Sequence, residues 1–333
     1  MNTLIKRIGL VGQDFLAEKD VTDEQMLGLI DLAIALKKKK RTGNKGKKLL
    51  AGKNICMVFQ KASTRTRCAT VVASQDEGAL VEYLGTSDIH FGKKESVADS
   101  ARVLARMFDG IFFRGFDHSL VEQLAQHANV PVWNALTDQW HPTQILADLM
   151  TLKETFGRLK GLKVVYLGDG RNNVCNSLMV GCAKTGVNFV NCCPPELKPD
   201  PAVIKTAKTA AKRNGCTIEV IHDPIQAVKG ANCLYTDVWA SMGEESQFEK
   251  RLKLLRPYQV TMDLVRKTGN LKKNEVIFLH CLPAFHNHDT EITEKIGALE
   301  VTDEVFEAPF SKVFDEAENR MHTIKAMMVA TLS

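Results

Sequence analysis

A cluster of hydroxyl and guanidinium groups follows the first strongly apolar run of the sequence, residues 55–59. Residues 61–67 read Lys-Ala-Ser-Thr-Arg-Thr-Arg and precede an Ala- and Val-rich segment, which predicts a strand, a tight loop and a helix start. Ser63 alone is compatible with an ordinary helix cap. A helix N-terminus favours acidic side chains, however, so two arginines there indicate a bound anion, and guanidinium groups bind phosphate bidentately. We predict a phosphate at this turn, faced by Ser63, Thr64, Arg65, Thr66 and Arg67.

Other polar side chains follow the later predicted strands. Open α/β sheets bind ligands beyond the carboxyl ends of their strands, so these side chains are candidate site residues. They are Arg114, His141 with Gln144, Asn172 with Asn173, Asp237 with residues 241–243, and residues 280–283. Each has an ordinary explanation alone: Arg114 as a surface charge, His141 as a buried histidine, Cys281 as a small core residue. A shared site explains all five strand ends at once.

The elements that would position these residues alternate between strands and helices. Strands are predicted at residues 55–59, 80–84, 111–113, 130–134, 162–167, 187–190, 217–220, 233–236 and 276–279, and helices at 22–36, 97–108, 120–127, 142–154 and 174–184. A basic loop is predicted at residues 37–48. The alternation indicates parallel sheets. We therefore predict an α/β fold of two doubly wound domains, each with a central parallel sheet flanked by helices, joined by interdomain helices. The first domain is placed at residues 1–150 and closed by a C-terminal helix at 311–333, and the second at 151–310.

Composition narrows the class of protein. The 333 residues carry a net charge of +5 with 7% aromatic residues, too little for a nucleic-acid binder. The sequence contains no apolar run of the roughly 18 residues that a bilayer requires, and no signal-peptide core near residue 1. Nine cysteines without a CxxC pair predict a reduced cytoplasmic protein with no structural metal.

Known nucleotide and hydrolase motifs do not fit. The turn Gly168-Asp169-Gly170 suggests a dinucleotide site, but the third glycine of GxGxxG falls on Asn173, and no acidic residue ends the next strand. The sequence has neither a GxxxxGK[ST] phosphate loop nor a serine-hydrolase elbow.

Five of the segments described above together resemble a known set of motifs. Residues 63–67, 113–115, 141–144, 237–243 and 280–283 are similar, in order and spacing, to those of the ornithine carbamoyltransferases. The first three segments also resemble the aspartate carbamoyltransferases, whereas the last two match the ornithine branch. The resemblance implies a homotrimer, or a multiple of trimers, with active sites at subunit interfaces. It also implies that the first domain binds carbamoyl phosphate and the second L-ornithine, with no metal or organic cofactor.

The resemblance also assigns a role to each site residue. Ser63, Thr64, Arg65 and Thr66 would hold the phosphate, with Arg114 as a second guanidinium. Thr66, Arg114 and His141 would face the carbamoyl oxygen, while Gln144 and the Leu282 carbonyl accept from its NH₂ group. Arg320 would reach the reacting carbamoyl group. Asp237 and Ser241 would bind the α-amino group of ornithine, and the Met242 backbone with Asn172 or Asn173 its carboxylate. The family usually has a glutamine, contributed across the subunit interface, where this sequence has His90, so the donor to carbamoyl phosphate becomes titratable.

The chemistry requires a neutral δ-amine that attacks the carbamoyl carbon, and donors fixed at the developing oxyanion. Cys281 would either be a weak hydrogen-bond partner or, as thiolate, accept the proton. A positioning role together with Asp237 is favoured, and no covalent intermediate is proposed.

Two rival functions remain. A relative that carbamoylates putrescine or an acylated ornithine is disfavoured, because Asp237 with residues 241–243 suits a free α-amino acid head. A non-catalytic anion sensor would be expected to have lost Arg114, His141 or Cys281. The sequence leaves open whether the reaction serves arginine synthesis or arginine catabolism, and what assembly exists beyond a trimer.

Overall fold

The computed structural model describes residues 1–43, 46–89, 91, 94–239 and 248–333. The predicted site residues His90, Ser241 and Met242 lie outside the described residues. The chain divides into two compact units, and both boundaries fall inside helices. Unit 1 comprises Met1–Met150 with Glu318–Ser333, and unit 2 comprises Thr151–Ala317.

Unit 1 is built on a four-stranded parallel sheet. Its strands are β1 (Asn54–Phe59), β2 (Leu80–Leu84), β3 (Gly110–Arg114) and β4 (Val132–Leu136), in the order β2-β1-β3-β4. Its helices are α1 (Asn2–Ile8), α2 (Asp23–Arg41), α3 (Thr64–Glu77), α4 (Val97–Leu104), α5 (His118–His127), the first part of α6 (Pro142–Phe156) and the greater part of α13 (Val313–Leu332). The β1 and β3 strands are almost wholly buried, as expected for a parallel sheet covered on both faces.

Unit 2 repeats this plan with a five-stranded parallel sheet. Its strands are β5 (Lys163–Leu167), β6 (Asn188–Cys192), β7 (Ile218–Ile221), β8 (Cys233–Thr236) and β9 (Ile277–His280), in the order β7-β6-β5-β8-β9. Its helices are α7 (Asn173–Thr185), α8 (Pro201–Asn214), α9 (Pro224–Val228), α10 (Phe248–Leu255), α11 (Met262–Lys267), α12 (Asp303–Phe306) and the start of α13 (Val313–Leu332).

Each sheet has one point where the strand order reverses. In unit 1 the chain moves from β1 outward to β2 and then back to β3, and in unit 2 from β5 through β6 and β7 and then back to β8. Connections on opposite sides of such a point leave a crevice at the carboxyl ends of the strands, where doubly wound proteins bind ligands. The predicted two-domain, parallel α/β fold is confirmed. No helix in the described part of the chain is long and apolar enough to cross a bilayer.

The prediction of a basic loop over residues 37–48 is wrong for its first part, because α2 continues to Arg41. The Lys37 side chain is buried, and its Nζ donates to Asn319 Oδ1 at 2.7 Å. Lys40 Nζ forms an ion pair with Asp76 at 2.6 Å. These lysines therefore anchor α2 within unit 1, and a run of like charge in the sequence did not reveal their partners.

Other helices also differ from the prediction. Helix α4 ends at Leu104 rather than at residue 108, and α1 and the helices α8 to α12 were not predicted. The α1 helix is short and ends at Gly9, whose φ of 65° lies in the left-handed region that favours glycine.

Candidate active site

The turn after β1 forms the N-terminus of α3. Ser63 is its N-cap, and Ser63 Oγ accepts from Thr66 N at 3.2 Å. The cap and the anion site are compatible, because a capping hydroxyl uses a lone pair and keeps its proton for an anion. Thr66 is buried, Arg65 is half-buried and Thr64 is exposed. The first turn of α3 contains no acidic side chain, so its dipole favours an anion.

Arg67 does not belong to this arrangement. Its guanidinium lies 3.8 Å from the centroid of the Tyr83 ring, a cation–π contact with β2. The prediction that both arginines of the turn face one anion is therefore wrong for Arg67 and stays a prediction for Arg65.

His141 lies among positive charges in unit 1. Burial lowers the pKa of this imidazole well below its ordinary value, and the guanidiniums of Arg320, Arg114 and Arg65 lower it further. We call these three arginines the guanidinium cluster. They come from α13, the end of β3 and the first turn of α3. His141 is thus a neutral imidazole at neutral pH, and the surrounding charge suits an anionic ligand.

Arg320 contacts two other predicted site residues, Gln144 and Thr66. Its side chain is 2% exposed. Nη1 donates to Gln144 Oε1 at 2.7 Å, and Nη2 donates to Thr66 Oγ1 at 3.0 Å and Thr143 Oγ1 at 3.1 Å. Gln144 Nε2 donates in turn to Asp148 Oδ1 at 2.9 Å. These bonds fix α3, α6 and α13 against one another around His141.

Three predicted residues of unit 2 also meet at the carboxyl edge of their sheet. Asn172 follows β5, Asp237 follows β8 and Cys281 follows β9. Asp237 Oδ2 accepts from Asn172 Nδ2 at 2.9 Å, and Asp237 Oδ1 accepts from Cys281 Sγ at 2.9 Å. We call these three residues the carboxylate cluster. Asn172 also caps α7, because its Oδ1 accepts from Val174 N at 2.7 Å.

The His280 imidazole holds the segment that carries Cys281. Nε2 donates to Glu300 Oε1 at 3.2 Å, while Nδ1 accepts from Leu282 N at 2.9 Å. Glu300 Oε1 also accepts from Phe285 N at 2.6 Å. These bonds assign a neutral imidazole with its proton on Nε2. Leu282 has a φ of 57°, an uncommon conformation for a residue with a side chain, so the bond from its N–H stabilises a strained turn.

Donor atoms of Asp237, His280 and Cys281 lie within 4.8 Å of one another, a spacing compatible with a metal ion. The hydrogen bonds described above already account for this spacing. Both imidazole nitrogens of His280 are engaged with Glu300 and Leu282, and the Cys281 thiol donates to Asp237.

Sequence analysis missed a buried ion pair beneath the carboxylate cluster. Arg251, on α10, donates from Nη2 to Asp169 Oδ2 at 2.7 Å and from Nε to the Trp239 carbonyl at 2.6 Å. Asp169 Oδ1 accepts from Arg171 N at 3.0 Å, and its carbonyl accepts from Asn172 N at 3.1 Å. The pKa of Asp169 is lowered, because bonds from Arg171 and Arg251 outweigh burial. Asp169 was considered only as part of a nucleotide turn, and no spacing in the sequence links it to Arg251.

The glycine next to Asp169 is required for packing. A Cβ at Gly170 would lie 2.6 Å from the Leu197 carbonyl, 2.7 Å from Asn191 Oδ1 and 2.8 Å from Cys193 Sγ. Asn191 Nδ2 donates to the Gly170 carbonyl at 3.2 Å. The turn that holds Asn172 is therefore pressed against β6 and the segment after it.

The fold and its side chains define a two-domain α/β protein with a guanidinium cluster in one unit and a carboxylate cluster in the other. The carbamoyl-P binding domain of the aspartate/ornithine carbamoyltransferases matches residues 13–154, and the Asp/Orn binding domain matches residues 160–331. The chain belongs to this family, as the resemblance predicts.

Relatives of high sequence identity extend over almost the whole chain. The catabolic ornithine carbamoyltransferase of Bacillus licheniformis is 59% identical over 331 residues, 98% of each chain. An ornithine carbamoyltransferase of Streptococcus pyogenes is 55% identical over 96% of each. Among solved structures, the ornithine carbamoyltransferase of Pyrococcus furiosus has a TM-score of 0.90 and 44% identity, covering 97% of this chain and 98% of that one.

Proposed function

We propose that the protein transfers the carbamoyl group of carbamoyl phosphate to the δ-amine of L-ornithine, giving L-citrulline and phosphate. The observation that carries this proposal is the neutral His141 beside the guanidinium cluster, at a helix N-terminus within the matched carbamoyl phosphate domain. An imidazole without charge can donate to a carbonyl oxygen, while the arginines neutralise the phosphate. Near-full-length identity of 55–59% to named ornithine carbamoyltransferases supports the reaction.

On the carbamoyl phosphate side, Ser63, Thr64, Arg65 and Thr66 bind the phosphate at the α3 N-terminus, and Arg114 adds a second guanidinium. Thr66, Arg114 and His141 donate to the carbamoyl oxygen, which becomes an oxyanion in the tetrahedral intermediate. Each such fixed donor contributes a factor of about 10²–10³ in rate. Gln144 and the Leu282 carbonyl accept from the carbamoyl NH₂ group. Arg320 reaches the reacting group and holds Gln144 and Thr66 in place.

On the ornithine side, Asp237 binds the α-amino group together with Ser241, and the Met242 backbone contributes to the carboxylate. We assign the asparagine that contacts the carboxylate as Asn173. The amide of Asn172 already bridges Val174 N and Asp237, which supports a structural role for Asn172. The proposal thus chooses between Asn172 and Asn173, which the sequence left open.

The δ-amine resembles a lysine amine, with an ordinary pKa near 10.4, so the enzyme selects or generates its neutral form. The contact from Cys281 Sγ to Asp237 Oδ1 supports a thiol that orients Asp237, rather than a thiolate that accepts the proton. The amine then attacks the carbamoyl carbon, the C–O bond to phosphate breaks as the intermediate collapses, and the proton that the amine nitrogen loses goes to the departing phosphate. Phosphate leaves as a stable anion bound by the arginines.

We further propose a homotrimer, or a multiple of trimers, with active sites at subunit interfaces and His90 contributed to a neighbour's phosphate. The outward-facing Leu80, 71% exposed at the start of edge strand β2, supports a further chain packed there. All nine cysteines are unpaired, which supports a reducing cytoplasmic compartment. The catabolic names of the Bacillus relatives favour operation from citrulline and phosphate in the cell.

The test measures the ureido product and the phosphate formed from carbamoyl phosphate with L-ornithine, N-acetylornithine or putrescine as the amine. We expect product only from L-ornithine, because the other two amines lack the free α-amino acid head. Arg65→Ala is expected to weaken carbamoyl phosphate binding in calorimetry and to reduce turnover by orders of magnitude without loss of fold. Preference for putrescine, or carbamoyl phosphate affinity retained in Arg65→Ala, would contradict the assignment.

A further inference from the structure

Two loops of unit 1, following β3 and β4, run side by side. Gly115 N donates to the Leu136 carbonyl at 2.9 Å, and Asp138 N donates to the Phe116 carbonyl at 2.8 Å. The first loop begins at Arg114, and the second leads directly into His141. Their relative position therefore sets the distance between these two proposed donors to the carbamoyl oxygen.

A buried histidine joins the same two loops through side chains. His118 is the first residue of α5 and is 4% exposed. Its Nδ1 lies 2.9 Å from Thr137 Oγ1, which is fully buried. No motif or resemblance assigns a role to His118.

The contacts of the Thr137 hydroxyl assign the direction of this bond. Asn134 Nδ2, at 3.2 Å, and Trp140 N, at 3.4 Å, both donate to Thr137 Oγ1. The hydroxyl proton can point to His118 Nδ1 at 2.9 Å or to the Trp140 carbonyl at 3.5 Å. The shorter contact receives it, so Nδ1 accepts and the imidazole is neutral.

We propose that His118 is a positioning residue for the carbamoyl phosphate half of the site, acting as a neutral hydrogen-bond acceptor that holds the Thr137–Trp140 loop in place. This inference rests on the proposed function. Protonation of Nδ1 would turn a donor toward the Thr137 hydroxyl, which would then have to direct its proton to the more distant Trp140 carbonyl. The loop that leads into His141 would lose its best side-chain bond.

The surroundings of His118 set the pH at which its Nδ1 becomes protonated. Burial lowers the pKa of His118 below its ordinary value, and Lys19 acts in the same direction. Glu122, Asp20 and Asp117 oppose them, with Glu122 Oε1 3.7 Å from Nε2. The hydrogen bond from Thr137 to His118 is thus fully present at neutral pH, and it is lost as the pH falls through the lowered folded-state pKa of His118.

The experiment compares wild type, His118→Leu and His118→Asn in the full-length protein. Leucine removes the acceptor, whereas asparagine can place Oδ1 near the position of Nδ1 and does not titrate. The KM for carbamoyl phosphate, the KM for ornithine and kcat are measured from pH 5.5 to 8.0. Calorimetric binding of carbamoyl phosphate provides a readout that does not depend on turnover.

At pH 7.5 we expect His118→Leu to raise the KM and Kd for carbamoyl phosphate about three- to tenfold, the effect of one buried hydrogen bond. The KM for ornithine should change less than twofold, and His118→Asn should recover most of the loss. Below pH 6.5, kcat/KM for carbamoyl phosphate should fall more steeply in wild type than in His118→Asn. The comparison uses the ratio of the wild-type value to the His118→Asn value at each pH, in which titration of the substrate itself cancels.

Equal loss for both substrates, or a ratio of wild type to His118→Asn that is independent of pH, would overturn the proposal and leave His118 as a fold residue. Failure of wild type to form citrulline would instead contradict the proposed function. The calorimetric comparison of the three proteins would then still decide the role of His118.

Discussion

The imidazole of His280 makes two hydrogen bonds that can be removed one at a time. Asparagine can place Oδ1 where Nδ1 lies, so His280→Asn keeps the acceptor for Leu282 N and loses the donor to Glu300. Glutamine can place its amide nitrogen near Nε2, so His280→Gln keeps the donor and loses the acceptor. Neither substitution adds volume to the fully buried site.

The two losses differ in kind. In His280→Asn the buried Glu300 carboxylate loses a hydrogen bond, which should lower the free energy of unfolding by about 1.5–3 kcal/mol. In His280→Gln the Leu282 N–H loses its acceptor in a turn with a φ of 57°. The turn is then held less firmly, and the positions of Cys281 and the Leu282 carbonyl become less well defined. Turnover should therefore fall about 10- to 100-fold, equivalent to about 1.4–2.7 kcal/mol of transition-state stabilisation.

The assay pairs denaturant unfolding with citrulline formation at saturating carbamoyl phosphate. We expect the asparagine variant to be the less stable and the glutamine variant the less active. If the two variants lost turnover equally, or if His280→Gln retained wild-type activity, the hydrogen bond to Leu282 N would not position the substrate contacts.

Three further outcomes are expected. Arg320→Met removes three hydrogen bonds and a charge that lowers the pKa of His141. The acidic limb of the kcat profile should therefore move to higher pH, with kcat/KM for carbamoyl phosphate falling at least about 100-fold; an unmoved limb would contradict this coupling. Arg251→Lys cannot bridge both the carbonyl and the carboxylate that arginine bridges, so steady-state kinetics should show a higher KM for ornithine and a carbamoyl phosphate KM within twofold of wild type. Burial lowers the pKa of His322 to about 4, so the unfolded state binds the proton first and stability falls with pH below about 6.5. Between pH 7 and pH 4 the free energy of unfolding, measured with denaturant, should fall by up to about 3 kcal/mol more in wild type than in His322→Gln. An equal fall in the two proteins would contradict this prediction.

The alternation of strands and helices allowed the fold to be predicted, because fully buried parallel strands appear as continuous apolar runs. The order of strands could not be predicted in the same way. Nothing in residues 80–84 indicates an edge strand, and the pairing of β1 with β3 depends on contacts between segments about fifty residues apart.

Candidate site residues could be located from the sequence where they stand at the end of a strand, as Arg114 does, or directly after one, as Asp237 does. The reason is that the carboxyl ends of parallel strands share one edge of the sheet. Partners that approach from distant parts of the chain could not be located in this way. Arg251 and Glu300 carry ordinary charges in the sequence, and only their burial against Asp169 and His280 shows their roles. Arg67 was misassigned for a related reason, because the Tyr83 ring that binds it belongs to the next strand.

The glycine turn after β5 begins like the turn of a dinucleotide site but packs differently. In a dinucleotide site the second glycine leaves space for a pyrophosphate. Here the corresponding Gly170 leaves that space to the Leu197 carbonyl and to Asn191 and Cys193. Atoms of the chain itself thus occupy the space that the second glycine leaves for a pyrophosphate in a dinucleotide site. An alanine at this position would have to push the turn away from β6, and Asn172 with it, so Gly170 sets where the amide that donates to Asp237 lies.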